Sequence, residues 1–261
     1  MISFKEFIQE RAVDAKPDWR SVSIEKAAEF VKKHCPSFTG RNPIYRGEHG
    51  LPPELIKTGV GVVDTSATSR ESENTSNYYT VIFDNHPEMT NFPKRSKSFI
   101  ASADYETAKG FTYGDSRHEM YVVIPTSSTK IGVCPKEDMW MTEIKLFGET
   151  GKINTFNKYF KWMGIEPTIQ GFLDFDKKLK DNNASAMLKL QQELGTEGLK
   201  YKDNFMESIW EAYSPKNTGM AFYTPATLPI LADDNEVWVS GICMCVTMKM
   251  IDDFEEAYAK L

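Results

Sequence analysis

Short apolar runs and helical stripes alternate along the chain. Met120 to Pro125 reads MYVVIP, a continuous apolar run that predicts a buried strand. Ile44-Tyr45-Arg46 is short and β-prone, and the preceding Pro43 starts a strand better than it continues one. Ser98 to Ser102 and Lys130 to Cys134 predict two more short strands, and Glu236 to Gly241, running on into Ile242 to Val246, is a further strand-forming run. Helical spacing appears in Ile24 to Lys33, where Val22, Ala27, Phe30 and Val31 form a stripe behind a Ser23 N-cap. Asp104 to Phe111 predicts a second helix, capped by Asp104, with Ala108 and Phe111 on one face. Tyr78 to Phe83 fits a strand or a helix equally well.

Between Pro135 and Tyr213 the character changes. Phe156, Tyr159, Phe160 and Met163 recur at helical spacing, as do Phe172, Phe175 and Leu179. Met187 to Leu194 and Phe205, Ile209 and Trp210 extend the pattern, punctuated by Gly164, Pro167, Asn182-Asn183 and Gly195. These stripes read as core, and the segment as a helical subdomain inserted into a mostly β scaffold. Asp64 to Asn77 reads as a surface loop, Ser214 to Gly219 as a turn, and Phe222 to Leu231 as a proline-broken approach to the last strands. Ile251 to Leu261 predicts a terminal helix with an acidic start. The expected fold class is α+β, in segments 1–10, 11–134, 135–213 and 214–261.

Composition narrows the function. The chain has 261 residues, 41% hydrophobic and 26% charged, ordinary values for a soluble globular protein. A net charge of -6 disfavours wholesale binding to a nucleic-acid backbone. Cys35, Cys134, Cys243 and Cys245 follow no metal-ligand spacing, nor do the four histidines, so no metal is expected. Cys243 and Cys245 alternate on one strand face as packed thiols. No apolar run reaches the length of a membrane span, and the N-terminus lacks the pattern of a secretory signal.

Candidate chemistry lies at the strand ends. Asp234 and Glu236 are two apart, so in an extended chain both project to one face. Two such carboxylates repel and their pKa values separate, which suits general-base work or stabilisation of a cationic transition state. The plain alternative is a solvated turn entering a strand. Arg46 beside Gly47 can anchor phosphate through its planar fork of donors, while Gly47 admits a ligand or another backbone. Its plain alternative is pairing with a nearby acid. Lys94 to Lys97 is a small basic cluster.

The order of Tyr45-Arg46-Gly47, then Phe99 to Ser102 with Ala108 and Phe111, then Glu236-Val237-Trp238 and Ser240-Gly241 resembles the Arg-Ser-Glu class of ADP-ribosyltransferases, including phage enzymes. The resemblance implies a split β-sheet core with the helical subdomain inserted. It also implies that NAD is consumed as substrate and ADP-ribose transferred to side chains of host bacterial proteins, arginine being favoured. Glu236 would stabilise the oxocarbenium-like ribose and Asp234 orient the acceptor. Arg46 and Gly47 would hold NAD, Ser102 and Phe111 would shape the pocket, and Tyr45 would stack or serve as core. Two motifs depart from the family. Ile100-Ala101-Ser102 keeps only the last serine of Ser-Thr-Ser, unless Ser98 serves in a shifted register, and Asp234 stands for the first Glu of Glu-x-Glu.

Met1 to Glu10, with Phe4, Phe7 and Ile8 on one stripe and Ile8-Gln9-Glu10 at its end, resembles the capsid-targeting peptides of phage internal head proteins. That resemblance implies cleavage after Glu10 by the prohead maturation protease. It also implies packaging in the virion and later delivery to the host cytoplasm. The expected function is therefore a packaged mono-ADP-ribosyltransferase. The alternative is a non-enzymatic head protein that binds and inhibits a host factor. Neither reading expects a membrane or direct nucleic-acid contact.

Overall fold

The computed structural model describes residues 10–12, 19–48, 51–67, 70–72, 77–112 and 119–261. Its strands are β1 (Glu10–Ala12), β2 (Arg20–Ser21), β3 (Ile44–Gly47), β4 (Val60–Asp64), β5 (Arg70–Ser72), β6 (Phe99–Ser102) and β7 (Met120–Pro125). They continue with β8 (Lys130–Val133), β9 (Glu143–Leu146), β10 (Glu149–Lys152), β11 (Ala221–Tyr223), β12 (Glu236–Ser240) and β13 (Ile242–Thr247). The protein is an α+β protein made of two compact units.

The first unit contains residues 1–73, 92–137 and 221–261. Its centre is a nine-stranded sheet in the order β11-β8-β12-β6-β3-β7-β13-β4-β2, antiparallel at every pair. Only Gly241 separates β12 from β13, although three strands lie between them in the sheet. Four strand spacings in a flat sheet span about 19 Å, whereas two Cα–Cα steps reach about 7.6 Å. The sheet must therefore curl until its two halves meet at Gly241, whose φ of 133° leaves the range that side-chain-bearing residues adopt. Hydroxyls pin this corner. Thr65 Oγ1 donates to the Val239 carbonyl at 2.8 Å and Thr129 Oγ1 to the Ile242 carbonyl at 2.8 Å.

Alternation then sorts each strand into an inner and an outer face. The inner face collects Ile44, Phe99, Ala101, Tyr121, Val123, Val237, Val239, Cys243 and Cys245 in one core cluster drawn from both halves. The outer face over β4, β7 and β13 carries Val60, Val122, Ile124, Met244 and Val246, covered by helices Ile24–His34 and Ile251–Ala259. The first of these is capped by Ser23, whose Oγ accepts the Lys26 N–H.

The second unit contains residues 74–91 and 138–220. Its helices are Tyr78–Asn85, Ile153–Trp162, Ile169–Lys180, Ala184–Gly198, Phe205–Ala212 and the single turn Pro215–Thr218. The aromatic stripes are core: Phe160 meets Phe172 edge-on at 5.0 Å, and Phe147 stacks on Phe205 at 5.1 Å. Tyr78 joins them and donates its hydroxyl to the Ile165 carbonyl at 2.6 Å. Tyr78 to Phe83 is thus helical, its ambiguity settled by the buried aromatic contacts on one side. The unit is not wholly helical. The β9–β10 hairpin turns on Phe147 and Gly148, both at positive φ, and Ile144 and Leu146 alternate inward. Among the described residues no helix is long and apolar enough to cross a membrane.

Candidate functional site

The three motif-bearing strands are neighbours in the order β12-β6-β3. Ser102 pairs with Glu236 on one side and with Tyr45 on the other. Cross-strand partners share a face, so Tyr45, Ser102 and Glu236 form one row on the outer face. Arg46 is one residue further along β3 and projects to the inner face. Its guanidinium carbon stands 4.8 Å from the centroid of the inner-face Phe99 ring. Arg46 and Glu236 therefore do not line one cleft, and the expectation that they cooperate on one ligand is corrected by this register.

Each arginine or carboxylate is instead engaged locally. Arg46 Nε donates to Glu48 Oε1 at 2.6 Å, and a terminal nitrogen donates to the Ile100 carbonyl. The β3–β6 ladder holds a single residue pair, so this second bond staples the thinnest seam of the sheet. Arg46 is only 7% exposed. Nearby, burial holds the Tyr121 hydroxyl well above the ordinary tyrosine range, with the Glu48 charge adding to the effect.

Glu236 is 1% exposed, and its Oε1 accepts the Trp238 indole N–H at 2.5 Å. Arg95 Nε lies 3.7 Å from the same oxygen, and its guanidinium carbon sits 5.8 Å from the Trp238 ring centroid. Arg95 belongs to the basic cluster seen in the sequence, but its partner is 141 positions away (236 minus 95), so spacing gave no sign of the pair. Residues 92–97 cover this part of the outer face. Pro93 Cγ would stand 3.1 Å from a Cβ placed on Gly132, and Ser240 Oγ donates to the Lys97 carbonyl at 2.8 Å.

The remaining expected site residues have structural partners. Asp234 stands exposed in the turn before β12, so it shares no environment with buried Glu236; the paired-carboxylate expectation fails because the chain is not yet extended there. Asn235 fixes that turn, its amide nitrogen donating to the Cys134 carbonyl at 2.9 Å and its Oδ1 accepting the Ala232 N–H at 2.9 Å. Ser102 Oγ accepts the Asp104 N–H at 3.0 Å, and Asp104 caps helix Tyr105–Lys109 through Thr107 N–H. A Cβ on Gly47 would lie 2.1 Å from the Ala108 carbonyl oxygen, so the glycine admits a helix backbone rather than a ligand. Phe111 follows that helix half-buried, its N–H donating to the Ala108 carbonyl at 3.1 Å. Tyr45 packs edge-on against Tyr105 at 5.6 Å, and burial raises its hydroxyl pKa.

The two motif residues, Arg46 and Glu236, thus face away from one another. The guanidinium meant for the phosphates of NAD is engaged inside the core, and the carboxylate meant for its ribose is closed on the opposite face. Among the described residues no cluster of His, Cys, Asp and Glu could hold a metal. Glu10 opens β1, which pairs with β5, while residues 1–9 of the capsid-peptide expectation lie outside the described residues. Fold and site define an α+β protein with a curled antiparallel sheet and an Arg–Glu pair on each face. Comparison with known protein families, curated proteins and solved structures finds no match to this chain.

Proposed function

We propose that this chain is a binding protein on a transferase-like sheet, in which the residues at transferase motif positions hold the fold rather than cleave NAD. The reading is carried by the opposite placement of Arg46 and Glu236, each closed on its own face by a local partner. Its ten N-terminal residues then serve as the capsid-targeting peptide they resemble. The protein reaches a host cytoplasm with the phage DNA and inhibits a host factor there. The test pairs two assays on the wild type and Glu236→Gln. Neither protein should consume NAD or label host extract with ADP-ribose, and both should retain the same host partner in affinity capture. NAD consumption by the wild type that Glu236→Gln abolishes would sink this reading.

One observation favours the second reading, a mono-ADP-ribosyltransferase using NAD. Tyr45 and Glu236 lie far from Ser102 in the sequence, yet the three stand in one row on adjacent strands. The second reading requires residues 92–97 to leave Glu236.

A further inference from the structure

The segment over Glu236 is short and irregular, with one three-residue 3-10 turn at Arg95–Lys97. It contributes a buried cation, Arg95, to a surface that offers a carboxylate and an indole. The Glu236 carboxylate is already oriented, because Oε1 takes the Trp238 N–H at 2.5 Å. The Trp238 ring lies beside the Arg95 guanidinium within the range of a cation–π contact. A fixed carboxylate with an aromatic ring beside it matches a planar guanidinium better than a compact ammonium, which is more strongly hydrated and cannot stack. We propose that Glu236 and Trp238 form a guanidinium-binding site that Arg95 fills from within the chain, so that segment 92–97 stands in for an arginine-bearing peptide.

A buried ion pair gains little net stability, because desolvation of both charges offsets their attraction. Contacts beside Arg95 include Pro93 against Gly132, Phe92 against Phe222 at 5.7 Å, and Ser240 Oγ on the Lys97 carbonyl. The assignment goes beyond the proposed function and is independent of whether NAD is cleaved.

The test is chemical rescue of the full chain. Arg95→Ala empties the site, and millimolar ethylguanidinium should raise its Tm in a dose-dependent way, at constant ionic strength. Ethylammonium should raise it much less, the wild type should not respond, and Arg95→Ala/Glu236→Gln should lose the response. N-acetyl-arginine amide should rescue where its lysine counterpart does not. If Arg95→Ala is unfolded alone, recovery of folded protein on refolding with ethylguanidinium is the same readout. No rescue in either format, an equal response in the wild type, or a response that survives Glu236→Gln would overturn the proposal.

Discussion

Among the described residues, two arginine–glutamate pairs hold the sheet unit, one on each face, and they are built differently. The inner pair is centred on its arginine. Arg46 reaches Glu48 at 2.6 Å, the Ile100 carbonyl and the Phe99 ring, while Glu48 keeps 22% of its side-chain surface exposed. The outer pair is centred on its carboxylate. Glu236 gathers the Trp238 indole and Arg95, both partners closed from solvent, with the ions 3.7 Å apart. The inner pair thus holds two strands together where the ladder is thinnest, and the outer one holds a covering segment onto a finished sheet.

This contrast ranks the effects of mutation. Arg46→Ala should cost most, about 4 kcal/mol, because it leaves a core gap, an unmet Ile100 carbonyl and a widowed Glu48. Urea unfolding measures it, and a loss below about 1 kcal/mol would mean that Arg46 does not staple the seam. Glu236→Gln keeps an acceptor for Trp238 but leaves Arg95 charged and buried, for a loss of about 3 kcal/mol in the same assay. Gly47→Ala drives a methyl into the Ala108 carbonyl, so helix Tyr105–Lys109 must shift, at about 2 kcal/mol. Faster amide exchange in that helix, with the inner-face strands unchanged, would place the damage on the outer face alone.

At neutral pH the smallest effect is that of a buried thiol, which shows only as the solution turns alkaline. Burial pushes the Cys35 thiol from its ordinary 9.0 up to about 12. A group whose folded pKa is raised contributes stability that is complete below the unfolded pKa and lost as pH rises towards the folded one. Stability should therefore decline between about pH 9 and 12, and Cys35→Ala should lessen the slope of that decline in thermal melts.

Much of the fold was legible because it depends on local pattern. The apolar run of β7, the Ser23 and Asp104 caps and the aromatic stripes at Phe156, Phe160, Phe172 and Phe175 all appear as the spacing implies. The site was legible only in part. Sequence order brought out three strands that are indeed neighbours, but the face on which a residue lies depends on pairing register. A shift of one residue moves a side chain through the sheet, and nothing local to Arg46 or Glu236 fixes the register between them. The pairing of Arg95 with Glu236 was not legible because the two are remote in sequence, nor was strand Val60–Asp64, because two glycines flank and interrupt its apolar run.

The central claim is that the sheet keeps Arg46 and Glu236 apart while the 92–97 segment brings Arg95 to Glu236. Double-mutant cycles on stability test it most directly, with Arg95→Ala and Arg46→Ala each combined with Glu236→Gln. The account predicts a coupling of about 1–3 kcal/mol for Arg95 with Glu236, and additivity within about 0.5 kcal/mol for Arg46 with Glu236. Coupling between Arg46 and Glu236, with none between Arg95 and Glu236, would contradict it.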